Sequence, residues 1–272
     1  MGLTGQQQAA LYFARKRRRR LRLAADTIDY SEFPPEDFYG AALVGLFKAD
    51  GAGLVHAGGI ASSWACEITG RTLTAAGSPT VVTGLNGKPC VRFNGTDQRF
   101  FATAALPGTW PVGTAEGGIF AFASQDGGAG ALDTATRALF SYGTSTAGAA
   151  RELDKVTIGG SASRFRTCRT SAGAGLTDTS VLFDGPHIVG ARYEEGGTNF
   201  YGRIDGADAN PASAATGFNT SGSRSGIGCD VSSGTTPGSH WKGDIYEIHV
   251  LAAVTEDQRE LGEGYFAWKF GV

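Results

Sequence analysis

Gly243-Asp244-Ile245-Tyr246-Glu247-Ile248-His249-Val250-Leu251, near the C-terminus, reads as a long β-strand. β-Branched and aromatic residues recur at every second position, which puts Tyr246, Ile248 and Val250 on one face and Glu247 with His249 on the other. Thr255 and Gln258 follow as a capping-box pair, with Glu256 and Asp257 in the first turn, where the helix dipole favours acids. They predict a closing helix. Leu261, Tyr265 and Trp268 fall at i, i+4 and i+7 and predict the buried stripe that covers one end of the domain. Gly262 and Gly264 each weaken such a helix by about 1 kcal/mol, so docking has to hold it in place.

Moving back along the chain, short apolar runs split by Gly, Asn, Asp and Ser predict strands at Ala42–Lys48, Cys90–Phe93, Ile119–Ala123, Ala138–Tyr142, Phe165–Thr167, His187–Tyr193, Asn199–Ile204 and Gly226–Cys229. Phe120 and Phe122 share one face, as do Val189, Ala191 and Tyr193. Asn199–Ile204 runs into Asp205-Gly206, a two-residue hairpin turn. Glycine makes up 42 of 272 residues, well above the usual ~7%, which turns and short strands absorb and helices do not. No amphipathic helix separates these strands. The fold class expected is all-β: a two-sheet antiparallel jelly-roll sandwich over residues 39–272, with a short C-terminal helix.

Residues 1–38 have a different texture. Thr4 with Gln7 is a helix-capping pair, and Gly and Pro are absent from Gln7 to about Leu23, which predicts a basic helical arm. Its charge comes from Arg15, Lys16, Arg17, Arg18, Arg19, Arg20 and Arg22, with no acid among residues 1–25; beyond it 17 bases face 26 acids, a balance of −9. Such an arm repels itself and calls for a partner. Phosphate binding to nucleic acid, a localisation signal and docking by bidentate Arg–carboxylate pairs are the three readings, docking being the preferred one. Asp26, Asp29, Glu32, Glu36 and Asp37 surround Pro34-Pro35, an acidic linker in which the prolines stop a helix and favour extended geometry.

Three stretches resemble the laminin-G-like, concanavalin A-like superfamily as it occurs in bacterial and bacteriophage proteins. Leu46-Phe47-Lys48-Ala49-Asp50-Gly51 with Trp64 looks like its opening strand and W-x-D-x-S-G continuation, with Cys66-Glu67-Ile68-Thr69-Gly70 standing where an Asp is common. Leu85-Asn86-Gly87-Lys88-Pro89-Cys90-Val91-Arg92-Phe93-Asn94-Gly95 resembles its N-G-x-P-x-V-R-F-D-G hairpin. Glu263-Gly264-Tyr265-Phe266-Ala267-Trp268-Lys269-Phe270-Gly271 resembles its terminal E-x-Y-L-A-x-K-W-G helix. The resemblance implies the sandwich, places Trp64 and Trp268 in its core, and points to surface appendages and polysaccharide binding.

The sugar-cleaving members of that superfamily carry E-x-D-x-E on one strand, because glycoside cleavage needs one carboxyl as acid and another as nucleophile or base. Glu152-Leu153-Asp154 lacks the third acid, and the adjacent Glu194-Glu195 point to opposite faces of a strand. No G-x-S-x-G or phosphate-loop pattern occurs, and His56, His187, His240 and His249 lack metal-ligand spacing. Glu247 with His249 reads as a structural polar pair. Calcium is the one cofactor considered, with Asp126, Asp178, Asp205 and Asp208 in Gly-rich loops as ligands; otherwise none is expected. Trp110 and Trp241 are the candidates for stacking on a sugar. Cys66, Cys90, Cys168 and Cys229 contain no C-x-x-C and read as buried thiols, with a Cys66–Cys90 bridge left open.

Gln6-Gln7-Gln8 stands where a signal peptide would begin its apolar region, so no signal peptide is expected. The resulting expectation is a non-catalytic adhesion or structural protein of a phage or phage-like virion, assembled in the bacterial cytoplasm as a homo-oligomer. In that reading the arm docks on other virion proteins and the sandwich faces a host surface glycan. A polysaccharide-degrading enzyme and a capsid cement protein are its alternatives.

Overall fold

The computed structural model describes residues 34–125, 136–144, 150–158, 162–167, 176–182, 185–196, 199–208, 212–213, 219–231 and 237–272. They form a two-sheet antiparallel sandwich with one long helix laid on it, the architecture expected from the strand pattern.

In the first sheet β3 (Ile60–Ala65), β4 (Thr72–Ala76), β7 (Arg99–Ala102), β17 (Arg224–Ile227), β9 (Arg137–Gly143), β10 (Ala150–Ile158), β11 (Ala162–Thr167) and β12 (Leu176–Leu182) lie side by side. β2 (Leu54–Ala57) borders β3. The second sheet runs β5 (Thr80–Thr83), β6 (Pro89–Asn94), β18 (Lys242–Leu251), β8 (Gly117–Gln125), β13 (Pro186–Tyr193) and β14 (Asn199–Ile204). β1 (Leu43–Lys48) continues beside β18 where β6 ends, and the two-residue strands β15 (Ala207–Asp208) and β16 (Ala212–Ser213) edge β14. The chain turns from one sheet to the other between β4 and β5, and the Ile60–Thr80 pair joins them there.

Between the sheets lies an aromatic core: Phe47, Trp64, Phe93, Phe100, Trp110 and Phe140 are all essentially buried. Burying each such ring contributes on the order of 2–3 kcal/mol, and their edge-to-face contacts add to it (Trp64–Phe100, 5.5 Å; Trp110–Tyr142, 5.2 Å). Trp64 is in the core, as expected from the resemblance.

A second apolar layer covers the other face of the second sheet. The closing helix α2 (Glu256–Phe270) and the short helix α1 (Pro35–Tyr39) pack there over Leu46, Phe120, Phe122, Tyr246 and Leu251. Pro34 is extended (φ −69°, ψ 167°) and Pro35 opens α1, the first-turn place a proline tolerates. Thr255 and Gln258 form the predicted capping box, and Gly271 ends the helix in the left-handed region.

Two expectations about side-chain direction need correction. The pairing of β18 with β8 shifts by one residue between Ile245 and Glu247. That bulge inverts the alternation, so Tyr246 faces the helix while Ile248 and Val250 face the inter-sheet core. On α2 the docked face is Gly262, Tyr265, Phe266 and Phe270, with Phe270 stacked on Phe122 at 4.2 Å; Trp268 points outward and is 40% exposed. The helix therefore covers a sheet face, not an end of the domain, and needs a wider stripe. Cys66, Cys90 and Cys229 are free and buried, so no Cys66–Cys90 bridge forms.

Candidate active site

The basic arm, Arg15 to Arg22, lies outside the described residues, as do Cys168 and Asp126. Trp110 and Trp241 are 1% and 0% exposed, so neither offers a ring to a sugar. Trp110 donates its indole Nε1–H to Val44 O at 2.9 Å, which satisfies a buried donor inside the core. Asp205 is held by His187 Nδ1 (2.7 Å) and the Ile188 amide (3.0 Å), and among the described residues no group of three or more His, Cys, Asp or Glu gathers as a metal site. The side chains of Asp178 and Asp208 are not among those described.

Buried charge collects in two places. Under α2, Glu247 Oε1 meets His249 Nε2 at 2.7 Å and Glu247 Oε2 accepts from Lys269 Nζ at 2.6 Å, while Lys269 also reaches Asp50. Burial pushes the Glu247 carboxyl up, but His249 and Lys269 more than reverse this and hold it below the usual carboxylate range. Glu263 on the same helix is bonded by Arg203 Nε (2.6 Å) and Arg259 Nη1 (2.8 Å). Cations answer each carboxylate there, and the network fastens the helix to the sheet. The Glu247–His249 pair is thus structural, as read from its position.

The second place is on the first sheet, on the face turned away from the core. Phe140 and Tyr142 point inward from β9, so Ser141 between them points outward. In register with Ser141 stand Glu152 on β10 and Gly226 on β17, which places Glu152 on that same outer face. Past Ile227 the chain folds back over the sheet. A methyl at Gly226 would lie 2.5 Å from Cys229 Sγ and 2.9 Å from Val231 Cγ1, so only glycine lets this segment lie so close. Ser141 Oγ fixes it there, donating to Cys229 O and accepting from the Val231 amide, both at 2.9 Å. The residue between those two anchors is Asp230, whose backbone is bridged in both directions to Gly238 (2.8 and 3.1 Å).

Glu152 and Asp230 are both fully buried, one cross-strand pair and one hydroxyl bridge apart. Their charges meet at Cys229: burial foremost, opposed by Arg99 and reinforced by Asp230 and Glu152, pushes its thiol far above the ordinary range. Carboxylates are seldom kept wholly out of water, because desolvation costs several kcal/mol. Glu152 on the sheet and Asp230 in the segment folded over it are therefore functional candidates. Glu152 was legible as half of an incomplete acid string. Its partner was not, because it arrives from a distant part of the chain rather than from Asp154.

A shallow cleft of about 410 Å³ opens elsewhere, between the ends of β2 and β5, over Leu54, Val81, Val82 and Pro89 with Asp50 and His56 at its rim. It touches neither acid.

No family model and no curated relative matches the chain. Solved structures do. An arabinofuranosidase complexed with arabinofuranosyl-α-1,2-xylobiose superposes with a TM-score of 0.64 at 12% identity over 86% of this chain and 64% of that one. A GH54 α-L-arabinofuranosidase soaked with a cyclic sulfate inhibitor gives 0.64 at 10% identity, over 86% and 65% of the two chains. Domain 4 of AbnA, a GH43 extracellular arabinanase from Geobacillus stearothermophilus, in complex with arabinotriose, gives 0.54 at 11%, over 82% of this chain and 98% of that one. The chain thus spans less than two thirds of the arabinofuranosidases and almost all of the arabinanase domain. At these identities the likeness shows the fold alone, an antiparallel β-sandwich. It also corrects the expectation of a non-catalytic phage or particle protein. The three are proteins of polysaccharide breakdown and none is a particle component, so the missing E-x-D-x-E string was no ground for excluding an enzyme.

Proposed function

We propose that the chain is a polysaccharide-degrading enzyme that hydrolyses glycosidic bonds with Glu152 and Asp230 as its paired carboxyls. The observation that carries this is the Ser141 bridge, which holds the Asp230 segment over the strand next to the one that bears Glu152. In such a pair one carboxyl gives its proton to the leaving glycosidic oxygen. The other attacks the anomeric carbon, or takes a proton from the attacking water, and water's hydroxyl ends on that carbon. Both side chains are enclosed in this structure, so substrate entry requires the cover formed by residues 228–231 to part from the sheet. The arabinose-releasing neighbours make arabinofuranose-bearing polymers the first substrates to try.

Reducing-sugar release from arabinan and arabinoxylan, and 4-nitrophenol release from the α-L-arabinofuranoside, are expected of the wild type. Glu152→Gln and Asp230→Asn should each lower the rate on polymer by about 10²–10⁴-fold. Loss of the proton donor spares the nitrophenyl substrate, whose leaving group needs no acid, which assigns the roles. Binding of arabino-oligosaccharides without cleavage by the wild type, or unimpaired cleavage by both variants, overturns the proposal.

A further inference from the structure

Next to the acid pair the same outer face turns basic. Arg99 on β7 has the same strand parity as Phe101, which is in register with Gly226, and Arg137 stands at the start of β9. Arg99 Nη1 donates to Asp97 O at 2.9 Å and lies 3.4 Å from His240 Nε2. Arg137 Nη1 donates to His240 O at 3.0 Å and to Gly95 O, and the stem of Lys242 lies against Gly95 as well. Three cationic side chains and an imidazole therefore converge on the turn after β6. All four residues are half-buried, while the Arg99 Nε atom itself is closed off from solvent.

Two features mark this cluster as built to receive an anion. The Arg99 Nε–H is enclosed and has no acceptor among the described residues, and no described group accepts from Nη2. Those two donors form the parallel edge of the guanidinium, the edge that matches a planar carboxylate. The second feature is the strain of like charge. Asp97 is the acid that faces His240, and its Oδ1 is turned to Asn94 Nδ2 (2.8 Å). The His240 imidazole is pushed down, by burial first and then by Arg99 and Arg137, with Asp97 opposing. An arriving anion relieves that field. Arg99 opposes Asp230 and Glu152 in its effect on the Cys229 thiol, and that thiol lies 3.8 Å from the Phe100 carbonyl, next to Arg99 on β7.

We infer that Arg99 and His240, backed by Arg137, form a subsite for the carboxylate of a uronic-acid unit in the polysaccharide, beside the bond to be cleaved. The inference rests on the hydrolytic reading for its position, and on the unfilled guanidinium edge for its chemistry. It makes the preferred substrate an acidic heteropolysaccharide, one with glucuronate or galacturonate among neutral sugars.

The test has two readouts. In the first, the His240 imidazole is followed by NMR against pH in the full chain, with and without glucuronate and galacturonate oligosaccharides. Either acid should raise the His240 midpoint, and carboxyl-reduced oligosaccharides should not. In the second, the specificity constant on a uronate-bearing polymer is divided by that on its carboxyl-reduced form. A wild-type ratio of about 10–100 is expected for one charge-assisted bidentate contact, falling towards one in Arg99→Gln. Arg99→Lys, which keeps the charge and breaks the fork, should lose most of the ratio and serves as the folding-safe variant.

An active wild type with a ratio near one and an unmoved His240 overturns the subsite while leaving hydrolysis standing. A His240 response with no cleavage of any polymer overturns hydrolysis and leaves the subsite. Equal response to sulfated and uronate sugars refutes carboxylate recognition.

Discussion

Gly262 offers a case in which two effects of known size oppose each other. On an isolated helix, Gly262→Ala stabilises by about 1 kcal/mol, because alanine loses less backbone freedom. In this fold the new methyl would sit 1.8 Å from Tyr39 Oη, 2.8 Å from Cζ and 3.5 Å from Cε1. Tyr39 has little freedom to retreat, being 2% exposed, 4.5 Å from the Phe38 ring and edge-on to His249 at 5.6 Å. Overpacking of this kind costs about 1–3 kcal/mol, and a contact this short belongs at the upper end. Subtracting the propensity gain leaves a net loss of about 1–2 kcal/mol, or some 2–4 °C in Tm per kcal/mol for a chain of this size. Urea denaturation followed by circular dichroism measures it. In a Tyr39→Phe background the 1.8 Å contact disappears and the one at Cζ remains, so the cost of Gly262→Ala should shrink without vanishing. A coupling of at least about 0.5 kcal/mol in that cycle is expected. A Gly262→Ala protein as stable as the wild type or more so, or an additive cycle, would refute the docking of α2 on α1.

Glu247 makes stability fall in acid. Its folded-state carboxyl lies below the unfolded value of ~4.3, so its contribution is present above that value and disappears as pH drops through the folded one. Between about pH 5 and pH 3 the wild type should lose more unfolding free energy than Glu247→Gln; parallel profiles would refute the assignment. Among the four tryptophans only Trp268 is open to solvent. Trp268→Phe should remove most of the iodide-quenchable fluorescence, and quenching that survives it would mean that Trp64, Trp110 or Trp241 is not enclosed.

The strands that could be read from the chain are those whose apolar residues repeat for several positions. Asn199–Ile204 matches its predicted bounds, and Asp205 and Gly206 both take positive φ (49° and 75°), the geometry of the two-residue hairpin turn that their identities predict. β2, β3, β4 and β5 went unseen for a physical reason. Each has few inward side chains (Leu54 on β2, Ala61 and Trp64 on β3, Leu73 on β4), and apolar residues such as Val55 and Ile60 face water, so no alternation of hydrophobicity stands out. The closing helix was legible through its cap. Its docked face was not, because Gly262, which a propensity scale counts as a defect, is the place where Tyr39 comes close.

The acid pair shows where reading along a strand stops. A string such as E-x-D-x-E is visible because one strand puts all its members on one face. Here the geometry is assembled across three neighbours: β10 carries Glu152, β9 carries the Ser141 hydroxyl, and the return segment after β17 carries Asp230. Nothing local ties those residues together in sequence. What ties them in space is register, for a slip of β10 by one residue would turn Glu152 into the core and Leu153 out of it. The bulge comes immediately after that point, with Leu139 of β9 as the extra residue between the Phe140–Leu153 and Ala138–Asp154 pairs, so the Ser141–Glu152 pair is left in place. Ser141 then needs no reactive role of its own. Its two hydrogen bonds to backbone hold the Asp230 segment down on the sheet, and they are the bonds that have to break for the cover over Glu152 to part. By that logic Ser141→Ala should ease the parting and change the rate of glycoside cleavage before it alters the fold.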